Sequence, residues 1–340
     1  MIHESLETPI QGYYDAVVVG AGPAGCGAAI ALGRSGMKTL ILDRYNCLGG
    51  TWTTGFMNPL FDFKNKTGIV GELVSELKER NQFGGFGNMS FNYEYMKRIL
   101  ERKMQEANVE VLYNTTYSRT LVEQKRVYGI IAENISGRFA VMAKMIVDCT
   151  GDGNVAANAG CSFELGENGD YTACQAMTLM FLVGNIPEKY RNGLMLYEKL
   201  GAAYEKAGKQ IPFKVPYLIP VPHSHFGVVQ FTHMYDYDPL CAKALTEATM
   251  EGRAQIIDAF EFLKAYDEEF HDLELITSSA MLGVRESRRI IGEYYMTLDD
   301  ILNGSRFHDP VARVTFNVDF HTKANKGQKC FNVKPYDIPM

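Results

Sequence analysis

Apolar residues fall in three kinds of run along the chain, and each kind predicts a different element. Short unbroken runs come first. Tyr14-Asp15-Ala16-Val17-Val18-Val19 is rich in β-branched residues, ends in glycine and predicts a buried strand. Residues 26–35 are alanine-rich and lack proline, so they predict a helix ending near Gly36. Lys38 to Asp43 predicts a second buried strand. Residues 14–43 therefore predict a β-turn-α-β unit with parallel strands.

Helical spacing recurs over residues 67–80 and 92–107, the second carrying Tyr95, Met96, Ile99, Leu100 and Met104 on one side. Residues 109–113 alternate like a strand. Residues 118–123, 126–133 and 138–144 predict an antiparallel meander inserted into the parallel scaffold. Residues 145–151 predict a return strand running into a glycine turn. Residues 174–183 are apolar and strand-like. Residues 211–231 hold four prolines among apolar residues and predict edge strands or extended loops. Residues 238–270 predict a long helical stretch, broken near Gly252, and residues 273–291 a further strand with a glycine-bearing segment. No tandem repeat, heptad or low-complexity tract interrupts this order. The predicted class is α/β, a Rossmann-like nucleotide-binding domain with an antiparallel meander. That domain is discontinuous, residues 1–165 plus 275–340, with an inserted α+β substrate domain at 166–274.

Composition narrows the function classes. The chain has 340 residues, 46% hydrophobic and 22% charged, enough to bury a sizeable core. A net charge of −6 argues against a broad electrostatic grip on nucleic acid or anionic membrane. Residues 1–14 carry acidic residues and no apolar core of a signal peptide. The longest apolar stretch, residues 176–183, is far short of the ~18 residues a spanning helix needs. The seven cysteines are scattered, and no two form C-x-x-C. That favours a reducing cytoplasm and removes the usual zinc spacings. The expected partners therefore include no nucleic acid and no membrane, and no metal is expected.

The chemistry enters at Gly20-Ala21-Gly22-Pro23-Ala24-Gly25, a G-x-G-x-x-G run between a predicted strand and a predicted helix. Gly20 permits the tight turn, Gly22 admits a pyrophosphate to the backbone, and Gly25 lets helix and strand pack closely. The helix N-terminus offers N–H groups and a positive dipole end to the phosphates. Asp43 lies 23 residues after Gly20, at the end of the second strand, where its carboxylate can accept both hydrogen bonds of an adenosine ribose. An aspartate there disfavours a 2′-phosphate, and hence NADP.

Ala29 and Gly36 occupy small-residue positions inside this unit, and Cys47-Leu48-Gly49-Gly50 trails it. Together these resemble the dinucleotide motif of the glutathione-reductase-like FAD proteins. Asp148-Cys149-Thr150-Gly151-Asp152-Gly153 looks like the TGDG element that follows the meander in that superfamily. Residues 281–292, with Asp319-Phe320-His321 downstream, resemble the bacterial FAD-dependent oxidoreductase family, distantly related to the fumarate reductase and L-aspartate oxidase flavoproteins. The resemblance covers residues 14–60 and 145–340. It implies FAD as cofactor, held by Gly20, Gly22, Pro23, Ala24, Gly25, Asp43, Arg44, Gly49, Gly50, Thr51, Gly151 and Asp152. It also implies hydride exchange between flavin and a small-molecule substrate, and leaves a homo-oligomer open. In the family the chain runs on past the segment seen here as Tyr336-Asp337-Ile338-Pro339, into a strand, a glycine-rich turn and a helix. The expectation is therefore of a fragment in which FAD binds weakly or not at all. An inactive nucleotide-binding remnant and an NAD-dependent dehydrogenase remain as alternatives.

Several residues are candidates for the reacting end. The loop Thr51 to Asn58, with the only tryptophan at Trp52, approaches the flavin ring and substrate by the resemblance. Arg285 and Arg289 are four apart, so on a helix they share a face and can grip a carboxylate, or else pair with Glu286 or Glu293. His321 is a candidate proton donor or a structural histidine. His223 and His225 would share one face of a strand, with His233 nearby, but no carboxylate or cysteine stands at a ligand offset. Cys47 has no partner cysteine for disulfide-reductase chemistry.

Overall fold

The computed structural model describes residues 2–324 and 326–340. The chain divides into two compact units. One comprises the chain up to Thr54 together with residues 96–163 and 288–290, the other residues 55–95, 164–287 and 291–340.

The first unit is built on one six-stranded sheet. Its strands are β1 (Ile10–Val19), β2 (Thr39–Leu42), β3 (Glu110–Leu112), β4 (Thr116–Glu123), β5 (Arg126–Asn134) and β6 (Gly137–Asp148), in the order β3-β2-β1-β6-β5-β4. The four strands from β3 to β6 in that order pair in parallel, and β6-β5-β4 is an antiparallel meander. This is the predicted α/β arrangement with one refinement. The third meander run and the return strand are a single 12-residue strand, because Ala140 to Ala143 pair with β1 while Gly137 to Met142 pair with β5. Helix α1 (Pro23–Arg34) joins β1 to β2. Val17, Val19, Leu40, Leu42, Ile130 and Val141 form one core of the sheet. Helix α2 (Tyr93–Glu106) buries Met96, Ile99, Leu100 and Met104 as its spacing predicts, but Tyr95 faces solvent.

The second unit carries a five-stranded sheet of β7 (Phe181–Gly184), β8 (Leu194–Met195), β9 (Tyr217–Pro220), β10 (Gly227–Gln230) and β11 (Glu274–Ser278), in the order β8-β9-β10-β7-β11. Alternation along the apolar run explains its density. Leu179, Phe181 and Val183 enter one core, and Met180 and Leu182 enter another. The proline-rich region does not supply edge strands as expected. Strands β9 and β10 lie inside the sheet, and the prolines sit at strand ends and in the turn, where no ladder hydrogen bond is lost. Helix α4 (Ala242–Tyr266), which follows the shorter α3 (Tyr197–Lys206), runs unbroken through Gly252. A Cβ there would lie 3.1 Å from Leu179 Cβ and 3.1 Å from Met234 Cε, so the glycine serves close packing.

Segments 55–95 and 291–340 belong to this second unit, whereas the expected boundaries put 275–340 with the nucleotide-binding domain. Lys66 Nζ donates to the Arg313 carbonyl at 2.8 Å, and the Thr315 N–H donates to Asp62 at 2.8 Å. The His321 N–H donates to Gln175 Oε1 at 3.0 Å, and the Lys214 N–H to the Lys326 carbonyl at 2.9 Å. Among the described residues, no helix is long and apolar enough to cross a membrane.

Candidate functional site

The glycine turn between β1 and α1 has three glycines with three different reasons to be there. Gly20 has φ +97°, and a Cβ on it would lie 2.4 Å from the Cys149 carbonyl oxygen. A Cβ on Gly25 would lie 1.9 Å from the Gly20 carbonyl oxygen. Gly22 is the opposite case: a Cβ would meet nothing within 4 Å. The closed positions seat the helix against the sheet, and the open one faces free space. No side chain caps α1, whose N-cap is Gly22 and whose first residue is Pro23. The N–H groups of Gly22, Ala24 and Gly25 therefore project from the helix end without intrahelical acceptors.

The neighbouring segments close around this turn. The Gly49 N–H donates to the Ala21 carbonyl at 2.8 Å, and a Cβ on Gly50 would come within 2.8 Å of Gly22 Cα. The trailing glycine pair is thus needed to let its own backbone pass against the first turn. Asp43 accepts from the Ala21 N–H at 2.6 Å and from the Tyr45 N–H at 2.8 Å, which holds its carboxylate at the rim of the turn. Two of about four lone-pair positions remain for a ribose. Arg44 packs over the Tyr45 ring at 5.0 Å, and Thr51 lies in a short 3-10 turn, Gly50–Trp52.

At the end of β6, Asp148 folds its own turn. One oxygen accepts from the Thr150 hydroxyl at 2.7 Å, and the other from the Ala156 N–H at 3.0 Å. Gly151 has open space where a Cβ would be, and the Asp152 carbonyl accepts from Arg288 at 3.0 Å. Two of the thiols here are held in the protonated form by burial. Burial pushes Cys26 up to about 12 and Cys149 up to about 11. Cys47 is buried, within 3.2 Å of the Thr54 hydroxyl. Uncapped helix, open glycine and positioned carboxylate come together here as donors and an acceptor that could hold a pyrophosphate and a ribose.

The second unit holds a different cluster, in which two sequence candidates meet one residue the sequence did not single out for this role. His233 (2% exposed) and His321 (6% exposed) are 2.8 Å apart, Nε2 to Nδ1. His233 Nδ1 lies 3.2 Å from the Phe231 carbonyl oxygen, which has no proton to give, so Nδ1 carries the hydrogen. His233 Nε2 is then the acceptor, and His321 Nδ1–H donates to it. His321 Nε2 therefore presents a lone pair, and in the neutral pair it is a hydrogen-bond acceptor. Phe213 stacks on His233 at 3.6 Å between ring centroids. Burial, and next the Arg285 charge, hold His233 well below its ordinary value and His321 down at about 4.

That depression has a measurable consequence. Both histidines are neutral in the fold, whereas in the unfolded chain they protonate near 6.5. Below 6.5 the unfolded state binds more protons, so their contribution to stability is intact above that value and is lost as pH falls towards about 4. Urea midpoints should fall across this window, and His321→Asn should flatten that slope relative to wild type. An unchanged slope would contradict the pairing.

Arg285 and Arg289 do not share a helix. Residues 281–288 are extended, held by reciprocal hydrogen bonds between Gly283 and Thr178, and Arg289 lies in a two-residue strand. Arg285 donates to the Thr178 hydroxyl at 3.2 Å, and burial pushes it down to about 10. His223 and His225 lie in the turn between β9 and β10 and not on a strand.

Known proteins resemble this chain in sequence and in fold. A relative with 34% identity is the thiamine thiazole synthase of Aeropyrum pernix, matched over 34% of this chain and 43% of its own length. That of Saccharolobus solfataricus is 29% identical over 40% of this chain and 54% of its own. The chain thus spans about half the length of these relatives. Among solved structures, a myxobacterial chondrochloren halogenase, described as FAD-dependent, is similar with a TM-score of 0.56 and 15% identity, over 82% of this chain and 65% of that one. A geranylgeranyl bacteriochlorophyll reductase-like protein of Thermoplasma acidophilum has a TM-score of 0.54 and 15% identity, over 80% and 66%. These likenesses concern the fold. Residues 15–340, the glycine turn, the meander and the histidine cluster included, match one family along their whole length, and the chain belongs to the FAD-dependent oxidoreductases.

Proposed function

We propose that this protein is an FAD-dependent oxidoreductase that exchanges a hydride between a small organic substrate and the flavin. The observation that carries the reading is the open face at Gly22, at an uncapped helix end, in a chain whose family uses FAD. Gly22, Ala24 and Gly25 would donate backbone hydrogen bonds to the pyrophosphate, with Pro23 fixing the first turn. Asp43, with Arg44 beside it, would orient the ribose. Gly49 and Gly50 lie against the turn, and with Thr51, Gly151 and Asp152 they would complete the cofactor's surroundings. Bound FAD would supply a two-electron acceptor and donor. The residues of the second unit would bind the substrate, and His321 Nε2 would hold or take a proton during turnover. A net charge of −6 supports a small-molecule partner over nucleic acid.

The test is direct. Purified protein, gel-filtered after incubation with FAD, should carry flavin absorbance at one equivalent, and it should bleach anaerobically with a panel of reduced small organic acids and alcohols. Protein that takes up no FAD would defeat the reading.

A further inference from the structure

Arg285 is the unusual charge of the second unit. Its Nε is buried and has no hydrogen-bond partner, and the Tyr235 hydroxyl is in the same state. Among the described residues, no carboxylate lies within salt-bridge distance of Arg285. Asp319 acts on it only through space. Arg285 Nη2 donates to the Thr178 hydroxyl, but a buried N–H donor such as Nε is normally paired as well. Two neutral histidines feel the same positive charge.

We propose that Arg285 and Tyr235, beside the His233–His321 pair, form a binding site for the carboxylate of a small organic acid. Calling that acid the substrate rests on the oxidoreductase reading, but the site itself does not. The planar guanidinium presents Nε–H and neighbouring Nη–H groups to two coplanar oxygens, a match for carboxylate. Tyr235 adds a third donor. One permanent positive charge beside two neutral imidazoles suits a monoanion better than a phosphate dianion. The charged and titratable groups that act on the site are Arg285, His233, His321, Tyr235 and Asp319. An arriving carboxylate offsets the Arg285 charge, so His321 should become easier to protonate.

The experiment uses the FAD-loaded protein, labelled with 15N at histidine, and sodium acetate as probe against sodium chloride at equal ionic strength. Acetate should shift the His321 ring resonances saturably and move their midpoint up from about 4 towards 6.5, while chloride does not. Arg285→Gln should raise that midpoint without any ligand and abolish the acetate response. Arg285→Lys keeps the charge but loses the fork, so acetate affinity should fall roughly tenfold or more. Tyr235→Phe should weaken acetate several-fold and provides the same test if Arg285→Gln does not fold. Equal responses to acetate and chloride, or an acetate response unaltered in Arg285→Gln or Tyr235→Phe, would overturn the site. Flavin absorbance of the same samples reports cofactor binding separately, so loss of FAD with an intact acetate response would reject only the oxidoreductase reading.

Discussion

Gly22→Asp should give a protein that folds as well as wild type and no longer binds FAD. The backbone at Gly22 is at φ −67° and ψ −175°, a conformation any residue adopts, and the space around it is open. Gly22 is also the N-cap of an otherwise uncapped helix, where aspartate is among the preferred residues. The substitution should therefore leave the fold unharmed or slightly firmer. It also puts a carboxylate where the pyrophosphate must lie. Like charges about 4 Å apart near a protein surface repel by about 4 kcal/mol, which corresponds to a loss in affinity on the order of a thousandfold. Gly25→Ala should do the reverse. Its methyl group would enter the Gly20 carbonyl, so the fold itself should fail or lose more than about 4 kcal/mol. Flavin absorbance after gel filtration, read beside far-ultraviolet circular dichroism and thermal unfolding, separates the two. A Gly22→Asp protein that binds FAD as wild type does would place the pyrophosphate elsewhere.

This contrast shows which parts of the molecule the sequence made legible. The turn from Gly20 to Asp43 is mostly local. Its contacts lie within one β-α-β unit and on the trailing glycine pair, except where Gly20 and Gly25 pass close to Cys149. The same locality recovered α2 through its spacing. Where partners lie far along the chain, pattern reading failed or was silent. The charged run after Gly283 reads as a helix face by its i, i+4 arginines. It is extended because Gly283 exchanges both backbone hydrogen bonds with Thr178, 105 residues earlier. Gly252 reads as a helix break, but its bare Cα is filled by Leu179 and Met234 from elsewhere in the chain. His233 and His321 are 88 residues apart, and no periodicity connects them. The sequence offers His233 only as a neighbour of His223 and His225, and His321 only as a lone candidate proton donor.

Phe213→Ala should test how that long-range cluster is kept dry. Phe213 is fully buried, lies in no regular element, and stacks on His233 with the His321 ring at 5.3 Å. Its loss removes a buried aromatic side chain, at a cost of about 3–5 kcal/mol in unfolding free energy near neutral pH. A second effect should follow. The space left would be lined in part by imidazole nitrogens, and a polar cavity of that size takes up water. Hydration relieves the desolvation that holds both histidines low, so their values should rise towards 6.5. A smaller difference between folded and unfolded states means less proton uptake on unfolding, and the loss of stability between pH 6.5 and about 4 should become shallower. Phe213→Leu keeps most of the apolar volume, so it should cost less and preserve more of the wild-type pH slope. Urea denaturation of the three proteins at neutral and mildly acid pH gives both quantities. If Phe213→Ala lowers stability equally at every pH, the aromatic ring contributes bulk alone, and the histidines must be kept neutral chiefly by the charge of Arg285.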